Sequence, residues 1–118
     1  MPLAVLLLLT ACRKTNEPTA YSLGIDMQRT FDQDNVQVFI DNQPILNKQI
    51  TSNNVLGLAS SISTNNTDGN HTIKVIVNDS LTVTQPFTQH GDLYVGINYI
   101  KSANMVMLTY SNTRFLYD

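Results

Sequence analysis

The chain has 118 residues, a formal net charge of −2 and a single cysteine. The charge balance and the lack of a basic stripe exclude nucleic acid as a partner, and the lone cysteine excludes an internal disulfide and any cysteine-rich metal site. Glu17 is the only glutamate and there is no tryptophan; helix formers are scarce, and turn and strand formers are plentiful.

The first element is an apolar run from Leu3 to Ala11, interrupted only by Thr10. A membrane-spanning helix needs about 20 apolar residues, so this run is too short to cross. It has the length of the apolar region of a secretory signal, with small residues after it. Leu9-Thr10-Ala11-Cys12 resembles the bacterial lipobox, in which a large aliphatic and two small residues precede an invariant cysteine. That resemblance implies cleavage before Cys12, diacylglycerol on its thiol and an acylated new amino terminus. Residues 1–11 would then be a signal peptide. Met1-Pro2-Leu3-Ala4 carries neither Lys nor Arg and so departs from the usual start of such signals, as a chain whose true start lies upstream would. The competing reading is an amino-terminal strand or helix with a buried thiol. It is weaker because Cys12 stands at the end of the apolar run, where the lipobox requires it.

Residues 12–20 are polar with one proline and read as the lipidated cysteine followed by a flexible tether. Eight extended residues reach at most roughly 28 Å, so the folded part would stay near the lipid surface. With two or more acyl chains the attachment is stable. Residues 21–118 form one domain, large enough to bury a single core.

Within that domain apolar and polar residues alternate with period two, the signature of strands with one buried face. Leu23, Ile25 and Met27 share one face of a first strand, and Val36, Val38 and Ile40 share a face of a second. Asp41-Asn42-Gln43-Pro44 turns the chain, and Ile45 to Thr51 returns. Val55 to Thr64 is ambiguous, and Asn65 to Asn70 reads as a turn. His71–Val77, Leu81–Gln89, Leu93–Ile100 and Met105–Ser111 are four further strands. A three-residue loop at Asn78-Asp79-Ser80 sets Val77 against Leu81, Val75 against Val83 and His71 against Phe87, keeping the apolar face continuous. The next hairpin is expected to set Phe87 against Leu93 and Val83 against Ile97. Seven or eight short strands predict an all-β fold, an antiparallel β-sandwich of immunoglobulin-like or transthyretin-like topology; the Cys…Trp…Cys signature of true immunoglobulin domains is absent.

The whole chain is loosely similar to small β-rich lipoproteins that Bacteroidota carry at the cell envelope. The residues that carry this likeness are the lipobox, "DGNHTIKVIVND", "DLYVGINY" and the terminal "FLYD". The resemblance implies a cell-envelope location, lipid-anchored to a bacterial membrane such as the outer membrane. The membrane would be held through lipid on Cys12, with an envelope protein or glycan as the further partner.

Several constellations are candidate sites. His71, His90, Asp68 and Asp92 are expected at one end of the sandwich, where two imidazoles and two carboxylates could hold zinc; the competing reading is turn chemistry with solvated histidines, and no cofactor is expected. Phe39, Ile76, Tyr94 and Ile100 point away from the core side and could form a binding surface, or be buried by the terminal Arg114-Phe115-Leu116-Tyr117, which is the preferred expectation. Asp79-Ser80-Leu81 is similar to the O-glycosylation signal of Bacteroidota periplasmic proteins and marks Ser80. Asn66, Asp68 and Asn70 alternate as in a calcium loop but lack the closing glutamate. Asp26, Asp32 and Asp34 could in principle supply a glycosidase pair. No catalytic motif is present, so the sequence reads as a non-catalytic envelope lipoprotein acting as a binding or structural accessory, with a glycan- or metal-binding module as the alternative.

Overall fold

The computed structural model describes residues 19–53 and 55–117. Cys12 and the residues expected to form a signal peptide and most of a tether lie outside the described residues. Eight strands follow in order: β1 Ala20–Met27, β2 Asp34–Ile40, β3 Gln43–Ile50, β4 Ser60–Thr67, β5 Gly69–Val77, β6 Leu81–Gln89, β7 Leu93–Ile100 and β8 Met105–Ser111. They form two four-stranded sheets, ordered β4-β1-β7-β8 and β3-β2-β5-β6. The fold is the expected all-β sandwich. Its strand order departs from the immunoglobulin arrangement, in which the first and second strands share a sheet, and agrees with the transthyretin-like alternative. Among the described residues no helix is long and apolar enough to cross a membrane.

Period-two alternation sends one face of each strand inward. Leu23, Ile25 and Met27 on β1, Val36, Val38 and Ile40 on β2, Ile73, Val75 and Val77 on β5, and Leu93, Val95 and Ile97 on β7 form one buried cluster. Every sheet neighbour is antiparallel except β1 and β7, which run parallel with Leu23 opposite Leu93, Ile25 opposite Val95 and Met27 opposite Ile97. The β5–β6 register is the expected one, with Val77 opposite Leu81, Val75 opposite Val83 and His71 opposite Phe87.

Three expectations are corrected. Strands β6 and β7 do not pair: β6 is an edge of one sheet and β7 is central in the other. Phe87 is therefore not opposite Leu93, nor Val83 opposite Ile97. Pro86 is the residue that marks β6 as an edge, since proline cannot donate to a second neighbour. Asn65, Asn66 and Thr67 are not a turn. They pair with Ser22, Tyr21 and Ala20 as the end of β4. Only Asp68 separates β4 from β5, and the chain changes sheets there because Gly69 adopts φ +119°, a backbone state a side chain rarely permits. The turn after β2 is narrower than expected. Asp41 and Asn42 both have positive φ, the geometry of a two-residue hairpin turn, and Pro44 already belongs to edge strand β3.

Truncation of Ile25 to alanine, at a side chain 1 % exposed, is expected to destabilise the domain by about 2–5 kcal/mol in urea unfolding. Met107→Ala on edge strand β8, at a residue 48 % exposed, is expected to stay within about 0.5 kcal/mol of the parent.

Candidate functional site

The end of the sandwich where β1 begins carries the predicted histidines and aspartates, but they do not converge. His71 opens the paired part of β5 and turns its ring to the β2–β3 turn, where Nδ1 lies 2.5 Å from Asp41 Oδ2. Its Nε2 lies 2.7 Å from the Thr67 carbonyl oxygen, and its ring packs 5.6 Å from that of Phe87. The Thr67 carbonyl and an ionised Asp41 are both acceptors, so the two contacts favour the protonated ring, in which both nitrogens donate. Burial alone would lower the His71 pKa, but the Asp41 carboxylate and the Thr67 carbonyl outweigh it and raise it above the ordinary histidine value. Burial likewise works against the Asp41 charge, but His71 and the Thr72 N–H hold its carboxyl below the usual range.

His90 is exposed and meets Asp68 at 3.0 Å. Asp92 instead accepts the Ser22 N–H at 2.9 Å. The four expected metal ligands are thus split among three separate contacts. No three His, Cys, Asp or Glu side chains come together among the described residues. Asn66 and Asn70 are strand residues on β4 and β5. Gln89, which the sequence reading missed, is 1 % exposed. It binds Asn66 Nδ2 through Oε1 and the Ser22 and Gly91 carbonyls through Nε2.

The proposed apolar patch is divided. Phe39 and Ile76 lie on neighbouring strands β2 and β5, whereas Tyr94 and Ile100 lie on β7 in the other sheet. The two pairs face solvent on opposite sides of the sandwich, so one surface cannot hold all four. Lys74 sits 4.6 Å over the Phe39 ring and shields it in place of the tail. The tail crosses the outer face of the β4-β1-β7-β8 sheet instead, and lines a groove there with Tyr94.

That groove brings serine hydroxyls, a carboxylate and aromatic rings together on one sheet face. Ser22, Gly24 and Asp26 on β1, Ser61 and Ser63 on β4 and Tyr94 on β7 form its base, and Arg114, Phe115 and Tyr117 overhang it. Cross-strand register explains the base. Asp26 is opposite Ser61 and Gly24 is opposite Ser63, while Gly24 on its other side is opposite Tyr94. Glycine at position 24 permits the close approach of the Tyr94 ring, since a Cβ there would lie 2.7 Å from Tyr94 Cδ1; Gly96 similarly accommodates Gln28.

A polar chain of contacts pins the tail. Asp26 accepts the Ser61 hydroxyl through Oδ1 at 2.6 Å and the Tyr117 hydroxyl through Oδ2 at 2.6 Å. Gln28 Nε2 donates to Tyr117 Oη at 2.8 Å, and Asn98 Nδ2 donates to Gln28 Oε1 at 2.8 Å. Burial, then the proton given to Asp26 and the Asp26 charge, push the Tyr117 phenol up to about 12. Gln28, Asn98 and Ser61 were not singled out in the sequence, and Tyr117 was expected only as part of the covering tail. The inward alternation of Phe115 and Tyr117 around Leu116 was the available signal.

The three aspartates do not form a catalytic pair. Asp26 belongs to the groove, whereas Asp34 is 4 % exposed and lies at the far end of the other sheet. It accepts from Asn78 Nδ2 and the Asp32 N–H and lies 3.3 Å from Lys101 Nζ. Burial opposes the Asp34 charge, but these three partners prevail and keep its pKa low. Asp32 contributes its backbone there and its side chain is exposed. Ser80 sits on the exposed β5–β6 turn. No protein-family profile matches the chain, and no curated protein or solved structure is significantly similar to it.

The His71 clasp fixes a pH dependence. A raised histidine pKa stabilises the fold below the unfolded value of about 6.5, and that contribution is lost as pH rises through the folded value; the lowered Asp41 pKa acts above about 3.9 and is lost as pH falls through its folded value. Thermal melts of the parent and His71→Gln are therefore expected to differ more at about pH 5.5 than at about pH 9.

Proposed function

We propose that this chain is a lipid-anchored accessory protein of a bacterial cell envelope, whose β-sandwich binds a partner or ligand and catalyses no reaction. The single observation that carries the reading is Leu9-Thr10-Ala11-Cys12 at the end of a ten-residue-scale apolar run, followed at once by a polar link. The fold is compatible with that sequence order. Thr19, the first of the described residues, is tied to the fold, its carbonyl accepting the Asp68 N–H at 3.0 Å. A tether joined there enters at the end of the sandwich that carries Asp41, Asp68 and Asp92. The groove beneath the tail lies along a sheet face rather than at that end, so an anchored domain would still offer it to the surroundings.

Between the glycan and metal alternatives, the groove favours the glycan. It combines two tyrosines, three serines and a carboxylate in one concavity, whereas His71, His90, Asp68 and Asp92 are spent on separate contacts. The outer membrane is the location that the Bacteroidota likeness suggests, and an envelope protein remains the other class of partner.

In cells fed labelled palmitate, the parent protein is expected in the membrane fraction and labelled, and Cys12→Ser unlabelled and released. A mature protein that retains residues 1–11 with a free thiol would overturn the anchored reading.

A further inference from the structure

We propose that the groove on the outer face of the β4-β1-β7-β8 sheet is a binding site for a neutral saccharide, with the carboxy-terminal segment 112–117 as its movable wall. The groove encloses about 410 Å³, within the range of small-molecule sites, which runs from about 300 to 1,000 Å³. Its chemistry is that of a hydroxyl-rich, uncharged ligand. Ser22, Ser61 and Ser63 offer hydroxyls that both donate and accept. The Asp26 carboxylate has one bond on each oxygen, from Ser61 and Tyr117, and an ionised carboxylate accepts up to about four. Capacity for a ligand hydroxyl therefore remains. Tyr94, Phe115 and Tyr117 supply rings against which the C–H face of a pyranose packs, their faces being electron-rich.

Charge decides against other ligand classes. Asp26 and Arg114 line the same groove and offset each other, so neither an anionic phosphate nor a cationic amine is selected. The surface is also too polar at its base to hold an acyl chain. Exposed Ser63 leaves the floor open on its β4 side, and the ring of Tyr94, packed over Gly24, borders that opening.

The wall is held by few contacts. Among the described residues, 112–117 make no backbone–backbone hydrogen bond to the sheet. Phe115 and Tyr117 face inward, Leu116 is 91 % exposed, and the tie is the Tyr117 hydroxyl between Asp26 and Gln28. Lifting the segment breaks two side-chain hydrogen bonds and leaves the core intact. A saccharide hydroxyl at Asp26 can replace the phenol it displaces.

This inference rests on the domain being a binding module and is independent of lipid on Cys12, so a failed palmitate experiment leaves it standing. The test is a titration of the isotope-labelled full chain with maltotriose, cellotriose and xylotriose, followed by amide nitrogen–proton spectra. Inorganic phosphate serves as the anionic control. At least one trisaccharide is expected to give saturable shifts at Gly24, Ser63, Tyr94 and Phe115 with a Kd of about 1 mM or tighter, and phosphate none. Ser63→Ala and Gly24→Ala, the latter forcing the Tyr94 ring into the opening, are each expected to weaken binding about tenfold or more while the amides of Val38, Val75 and Ile97 stay unshifted. Absence of saturable shifts for all three sugars at about 10 mM, or shifts unchanged in both variants, would overturn the site. Hydrolysis of a bound trisaccharide would uphold the site and overturn the non-catalytic reading instead.

Discussion

The parallel seam between β1 and β7 is the constraint on which the rest of the molecule depends. Both strands are central in their sheet, and their register sets Leu23, Ile25 and Met27 beside Leu93, Val95 and Ile97. Because side chains alternate with a period of two, a slip of one residue would turn the apolar row of the slipped strand to solvent. The same register fixes the opposite face, where Gly24 meets Tyr94 and Asp26 meets Gly96. Core and groove are therefore two sides of one pairing, and neither can shift without the other.

The sandwich treats its two outer faces differently. On the β3-β2-β5-β6 sheet, Lys74 covers Phe39 and Gln37 reaches Asp79, so long polar side chains shield the apolar ones beside them. On the β4-β1-β7-β8 sheet the chain's own end does the covering, through Phe115 and Tyr117. The flank between the two sheets is closed by Tyr110, whose hydroxyl donates to Gln85 Oε1 at 2.9 Å and whose ring stacks 6.3 Å from Phe87. Phe87 in turn backs His71. His71 thus belongs to a packed aromatic row at the joint between sheets, with both ring nitrogens engaged by Asp41 and Thr67.

That distribution of roles bears on function. Histidines and most aspartates are committed to structure: His71 with Asp41, Asp34 with Asn78 and Lys101, Asp92 with the Ser22 N–H. Asp26 is different, since its partners are a serine hydroxyl on an edge strand and a phenol on a tail held mainly by side chains. A carboxylate whose contacts can be exchanged, at the base of a concavity, is where binding chemistry has room to operate.

The sequence by itself determined every strand but β4, the inward faces of those strands and the β5–β6 register, because alternation and hairpin closure are local steric properties of the chain. It also carries Leu9-Thr10-Ala11-Cys12, whose resemblance to a lipobox needs no fold to be read. Tertiary structure alone decided which strands are neighbours. Pairing β7 with β6 or with β1 keeps the same residues apolar-side in, so periodicity cannot choose between them, and only the packing of two sheets does. Pairing with β1 likewise drew the Asn-rich end of β4 out of its local turn preference. The contacts that build the groove join Asp26 to Tyr117 and Gln28 to Tyr117 across nearly the whole domain. No local pattern encodes such a meeting, because it exists only once the sheet has formed and the tail has a face to lie on.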